Sequence, residues 1–119
     1  QKVDLYALDE PSAFLDVEDR IAVAKFLQQF TRSFGKSAMV IDHDLLLLDL
    51  ISDSIVIFQG TSGVSGHASS PLPKVGAMNQ FLKSLDITFR RDEKSKRPRV
   101  NKTNSRLDKT QKASSNFYY

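Results

Sequence analysis

Two carboxylates, Asp9 and Glu10, directly follow a mostly apolar stretch at residues 3–8, and a second apolar stretch ends in Asp42-His43-Asp44. A strand-end aspartate can hold a phosphate-bound Mg²⁺, and a glutamate next to it can take a proton from an attacking water. A histidine at a second strand end can bond a phosphate oxygen in either protonation state. On these residues alone, the simpler reading of Asp9-Glu10 is an acidic pair that closes a strand. His43 has the matching reading of a satisfied histidine. Asp42-His43-Asp44 makes a poor metal site, because neighbours on an extended chain point to opposite faces and cannot all reach one ion. Gly35-Lys36-Ser37 looks like the close of a G-x-x-x-x-G-K-[ST] phosphate loop, but the first glycine would fall at Phe30. The triplet also follows a helix pattern and precedes a strand pattern, the reverse of what such a loop needs. Gly35 reads as a helix stop.

These residues need rigid elements beneath them. Residues 3–8 are mostly apolar and bounded by Asp9-Glu10-Pro11, which predicts a strand buried on both faces, as in a parallel sheet. Asp16 reads as a helix N-cap, with Glu18 and Asp19 in the first turn. The helix is expected to run to about Phe34, with Val23, Phe26, Leu27, Phe30 and Phe34 on one face. Residues 37–42 predict a second strand, Asp44 opens a short helix to about Ile51, and residues 54–58 predict a third strand. Strand–helix–strand–helix–strand implies crossovers and a parallel sheet. Gly, Pro and Ser crowd residues 60–74, which read as loop. Residues 77–85 read as a helix with Met78, Phe81, Leu82 and Leu85 on one side.

Composition narrows the class. The 119 residues are 40% hydrophobic and 26% charged, the balance of a globular protein. No apolar run exceeds four residues, against the ~18 of a membrane span. The absence of cysteine excludes disulfides, thiolate catalysis and iron–sulfur ligation within these residues. Charge is uneven: residues 1–58 hold five Lys/Arg against ten Asp/Glu, and residues 59–119 hold twelve against four. An acidic half joined to a basic half suggests chemistry in one and a polyanion or partner contact in the other. There is no initiator Met, and a strand pattern begins by the third residue. A piece of a longer protein is therefore expected.

Asp9-Glu10-Pro11-Ser12-Ala13-Phe14-Leu15-Asp16 resembles the joined Walker B and D-loop of the ATP-binding-cassette (ABC) ATPases, and Ile41-Asp42-His43-Asp44 resembles their H-loop. The expected fold is α/β: the C-terminal portion of a P-loop ABC-type nucleotide-binding domain, a parallel sheet with flanking helices, plus a basic C-terminal extension. The resemblance implies that Asp9 orients Mg²⁺ through a water, Glu10 polarises the attacking water and His43 contacts the γ-phosphate of ATP. Ser12, Ala13, Phe14, Leu15 and Asp16 would face a partner nucleotide-binding domain. The Walker A, Q-loop and signature motifs have no counterpart in these residues, so ATPase activity is expected of the full-length protein and not of this chain alone.

The basic half is similar to one branch of that family. Gly76-Ala77-Met78-Asn79-Gln80-Phe81-Leu82, Ile87-Thr88-Phe89-Arg90-Arg91-Asp92, Arg97-Pro98-Arg99-Val100-Asn101-Lys102 and the finish Phe117-Tyr118-Tyr119 resemble the C-terminal end of ABC subfamily E. This is the RNase L inhibitor or ribosome-recycling ATPase family of archaea and eukaryotes, with an archaeal source expected here. The resemblance implies the second nucleotide-binding domain of a twin-cassette ATPase that splits ribosomal subunits. Residues 1–85 would be the cassette piece and residues 86–119 a basic hinge-like extension. Implied partners are the first nucleotide-binding domain, the small ribosomal subunit or ribosome, and a release factor. Arg90, Arg91, Arg97, Arg99 and Lys102 are expected to make hinge or rRNA contacts, where phosphate binding would be salt-dependent and blind to sequence. Packing of Phe89, Tyr118 and Tyr119 onto the core is favoured over base stacking. The implied location is cytoplasmic, without a membrane, and iron–sulfur clusters are expected only in an N-terminal domain outside these residues. The other reading is a stand-alone, non-catalytic RNA- or protein-interaction module. A cassette piece on its own would expose strand edges, so aggregation or a borrowed surface is expected.

Overall fold

A computed structural model describes residues 3–119. Gln1 and Lys2, the first residues of the expected cassette piece, lie outside the described residues. The chain divides into two compact units, Gln1–Ser52 and Asp53–Tyr119.

The first unit is a βαβα arrangement: β1 (Leu5–Asp9), α1 (Val17–Phe34), β2 (Ser37–Ile41) and α2 (Leu45–Ile51). β1 and β2 pair in parallel, in register from Leu5 opposite Ser37 to Asp9 opposite Ile41. Local chemistry sets the ends of α1. The Asp16 carboxylate accepts the Glu18 and Asp19 N–H groups, and Gly35 stops the helix in the left-handed conformation at φ 59°. Its inner side buries Ala24, and Phe30 meets Tyr6 of β1 edge-on at 5.3 Å. α2 begins at Asp44, whose carboxylate accepts from Leu46 and Leu47 N–H, and it buries Leu47.

The expected burial of β1 on both faces is corrected. Tyr6 and Leu8 are half-buried, whereas Leu5, Met39 and Ile41 are more than half exposed. Side chains alternate along a strand with period two, so Leu5, Met39 and Ile41 fall on the other face from Tyr6, the residue that meets α1.

The second unit corrects the expected third parallel strand. Residues 54–58 do not form one strand: β3 (Ser54–Ile55) pairs antiparallel with β6 (Leu72–Pro73), and Phe58 begins the hairpin β4 (Phe58–Thr61)–β5 (Ser65–Ala68). Much of the expected loop at 60–74 is therefore sheet. Gly63 closes the hairpin at φ 72°, and at Gly60 the cross-strand backbone leaves no room for a Cβ. α3 (Lys74–Ser84) starts three residues earlier than its apolar pattern suggested and buries Ala77, Met78 and Leu82.

The basic end is folded. β7 (Phe89–Arg91) pairs antiparallel with β8 (Pro98–Val100), and α4 (Arg106–Ala113) starts at a Ser105 cap. Phe89 and Tyr118 are buried, together with Phe117, in line with packing rather than base stacking, whereas Tyr119 is only half-buried. Asn79 of α3 accepts the Phe117 N–H at 2.6 Å and donates to the Ser115 carbonyl at 3.1 Å. Beneath β7 and β8 lies a buried polar cluster. Thr88 donates to Asp108 at 2.6 Å, Asn101 donates to Thr88 at 2.9 Å and to Gln111, and Gln111 donates to the Phe89 carbonyl at 2.8 Å. No buried polar side-chain atom among the described residues lacks a partner, so the cluster is stabilising rather than strained. No helix of the described residues is long and apolar enough to cross a membrane.

Candidate functional site

Because Asp9 pairs with Ile41, β1 and β2 end level, and both acidic turns emerge at the C-terminal edge of the parallel pair. Ligands bind at that edge in open α/β sheets. Glu10 leaves the strand in the left-handed region at φ 45°, while its N–H still donates to the Ile41 carbonyl at 2.7 Å. This places Glu10 Oε1 3.5 Å from His43 Nδ1, with both side chains exposed. The structure thus brings together two of the three residues singled out for chemistry. Asp9 stands exposed at the strand end beside them. An exposed carboxylate and an exposed imidazole on one edge can receive a polyphosphate and a water from solvent without unfolding anything.

The turn after Glu10 is tight. Ala13 N–H donates to the Glu10 carbonyl and Leu15 N–H to that of Ser12, and Phe14 is held at φ 62° with its ring fully exposed. Of the five residues expected to face a partner domain, Phe14 and Asp16 are exposed, Ala13 and Leu15 are half-buried, and Ser12 is turned inward with only 2% of its surface accessible. The Ser12 hydroxyl donates to Asp42 Oδ1 at 2.8 Å and its N–H to Asp42 Oδ2 at 3.0 Å.

Asp42 and Arg20 were not legible as site residues. The Asp42 side chain is fully buried and also accepts the Asp44 N–H at 2.8 Å. Burial pushes its carboxyl up, but the hydrogen bonds from Asp44 and Ser12 outweigh that, aided by nearby His43, and hold it below the usual carboxylate range. Arg20 donates from Nε to the Leu15 carbonyl at 2.9 Å and from Nη1 to Asp44 Oδ2 at 2.6 Å. Asp42 lies just past β2, so strand alternation does not place its side chain, whose Oδ1 sits 4.0 Å from His43 Nδ1.

Among the described residues, no three His, Asp or Glu side chains gather closely enough to cage a metal ion. Mg²⁺ rarely needs such a cage; it is held by one or two carboxylates together with substrate phosphate oxygens and waters. A single open carboxylate at Asp9 fits that mode.

The basic residues lie in the second unit. Arg90 bonds the Val100 carbonyl and Asn101 Oδ1, and Arg99 pairs with Asp92 at 3.3 Å. Arg91 sits 4.4 Å over the Tyr119 ring and donates to its hydroxyl at 2.7 Å. Arg97 and Lys102 are exposed. Arg90, Arg91 and Arg99 therefore brace the β7–β8 hairpin as well as carrying charge.

Taken together, the level parallel strands, the Asp-Glu strand end and the Asp-His-Asp strand end define part of an ABC-type nucleotide-binding domain. No protein-family model matches the chain. It is 41% identical over 116 residues to the translation initiation factor RLI1 of Chaetomium thermophilum, covering 98% of this chain and 19% of that protein. Among solved structures it resembles the archaeal ribosome recycling factor aABCE1, in complex with the ribosomal stalk protein aP1, with a TM-score of 0.91 at 45% identity over 98% of this chain and 22% of that one. It also resembles a model of ribosome-bound archaeal Pelota and ABCE1, with a TM-score of 0.92 at 46% identity over 98% of this chain and 20% of that one. The chain belongs to ABC family E, the RNase L inhibitor family. It spans about a fifth of the length of the curated relatives it matches.

Proposed function

We propose that this chain is the C-terminal part of the second nucleotide-binding domain of a twin-cassette ATPase, in which ATP binding and hydrolysis are coupled to splitting of ribosomal subunits. The observation that carries the ATPase reading is the meeting of Glu10 and His43 at the strand edge beside Asp9. Glu10 accepts the proton of the attacking water, and the His43 imidazole bonds the γ-phosphate and keeps that water in line. Asp9 would hold Mg²⁺, and the ion would supply positive charge that offsets the charge of the phosphates. Phosphoryl transfer asks for this kind of positioning and charge compensation more than for covalent chemistry. The phosphate cradle and signature motif come from parts of the protein outside these residues, so the isolated chain should bind ATP only weakly. The turn at residues 12–16, with Phe14 exposed at its tip, faces the other cassette. Residues 1–85 serve the nucleotide, and residues 86–119 act as a hinge-like brace with Arg97 and Lys102 available to RNA phosphates. The recycling role is supported by the relatives, one described as a ribosome recycling factor and one as ribosome-bound.

The test is Glu10→Gln in the full-length protein. ATP affinity should persist while turnover falls by about 10²–10⁴-fold, trapping the closed cassette pair. Wild-type turnover in this variant removes Glu10 from the mechanism.

A further inference from the structure

Both residues flanking His43 are fastened to the turn that follows Glu10, one at each end of that turn. At the start, Ser12 gives its N–H and its hydroxyl to the two oxygens of the buried Asp42 carboxylate, which also accepts Asp44 N–H. At the end, the Arg20 guanidinium bridges the Leu15 carbonyl at 2.9 Å and Asp44 Oδ2 at 2.6 Å. Asp44 uses its other oxygen, Oδ1, to cap α2. Every oxygen of the two carboxylates is engaged, and most of these bonds involve a charged partner, the stronger class. Between the two fastenings, Phe14 stands fully exposed.

We propose that Ser12–Asp42 and Arg20–Asp44 form a double tie that makes the turn at residues 12–15 and His43 one rigid body. Ser12, Arg20, Asp42 and Asp44 are thus positioning residues: a displacement imposed on the exposed tip at Phe14 reaches His43 through the residues on either side of it. The proposal rests on the reading of His43 and this turn given above, and it adds the route by which contact at the turn regulates the histidine. Capping of α1 and α2 does not need it, because Asp16 and Asp44 Oδ1 already supply those caps.

The test uses the full-length protein with Ser12→Ala, Arg20→Lys and the double variant. Lysine keeps a charge opposite Asp44 but lacks the fork needed to reach the Leu15 carbonyl as well. Each single variant should lower kcat about tenfold while affinity for a non-hydrolysable ATP analogue stays within about twofold, since small misplacements cost rate rather than binding. Ser12→Ala keeps the N–H bond to Asp42 and so loosens its end rather than freeing it; because the rigid body needs both ends, the double variant should cost little more than Arg20→Lys alone. If Ser12→Ala does not fold, Arg20→Lys carries the test through its split between kcat and affinity. Wild-type kcat in the tie variants, with Glu10→Gln inactive, overturns the tie and leaves the assignment of Glu10 standing. Wild-type turnover in Glu10→Gln overturns the underlying reading instead. Losses of kcat that add in the double variant and follow the melting temperature assign these contacts to stability alone, and the tie then fails.

Discussion

Thr88 donates its hydroxyl to Asp108 at 2.6 Å in a site where Thr88 is wholly buried and Asp108 is 2% exposed. That bond joins the residue just before β7 to the first turn of α4. The Thr88 hydroxyl is the main reason the Asp108 carboxyl lies below the usual carboxylate range; burial opposes it, and the Asn104 N–H and the Lys112 ammonium add to it. Lys112 in turn bonds Asp86, which raises its own pKa, with Asp108 contributing.

A depressed carboxyl pKa has a definite pH signature. The folded state binds the proton more weakly than the unfolded chain, so the stabilisation is present above the unfolded value of about 3.9 and is lost as pH falls through the lower folded value. The melting temperature of the second unit should therefore drop below about pH 4. Asp108→Asn should lower stability at neutral pH and flatten the acid limb. Thermal melts across pH check both, and an unchanged acid limb in the variant would assign the acid sensitivity to other carboxylates.

Asn79 should anchor the C-terminal end. Its carbonyl accepts both Phe117 and Tyr118 N–H, and its amide donates to Ser115. Asn79→Ala removes the side-chain acceptor of the Phe117 N–H and the donor to the Ser115 carbonyl, at a cost of about 1–3 kcal/mol. Denaturant titration should show that loss.

Leu82 and Leu85 were expected on one face of the same helix, yet Leu82 is 0% exposed and Leu85, just past the last turn, is 51% exposed. Leu82→Ala should cost about 2–5 kcal/mol, and Leu85→Ala about 0.5 kcal/mol or less. Equal costs from the two would contradict the burial difference.

Phe14 combines a left-handed backbone with a fully exposed ring. A non-glycine residue there is strained by about 1–2 kcal/mol, which glycine relieves. Phe14→Gly should leave the melting temperature unchanged or higher, yet weaken the ATP-dependent closure onto a second cassette proposed above for the full-length protein. Intact closure would show that Phe14 does not meet the other domain.

Legibility followed the range of the interaction. α1 was readable to the residue because Asp16 and Gly35 act on backbone groups within a few positions of themselves. The carboxylates at the end of β1 were readable because Pro11 and the apolar run mark that end locally. The pairing of Ile55 with Leu72 was not, because an apolar segment carries no mark of its partner. The hairpin at residues 58–68 was hidden for a similar reason. Gly and Ser read as loop until Phe58 finds Ala68 across the turn.

Residue types and spacing alone determined the chemistry on offer: Asp9, Glu10 and His43 at strand ends, no thiol, and a basic final third. The family resemblance was also carried by the residues themselves. Only the tertiary structure decided that Glu10 and His43 meet at 3.5 Å, that Ser12 turns inward to Asp42, and that Arg20 spans to Asp44. These contacts join residues more than 20 positions apart, and their geometry depends on the register of β1 against β2, which is set by the burial of one face of each strand and not by any neighbouring residue.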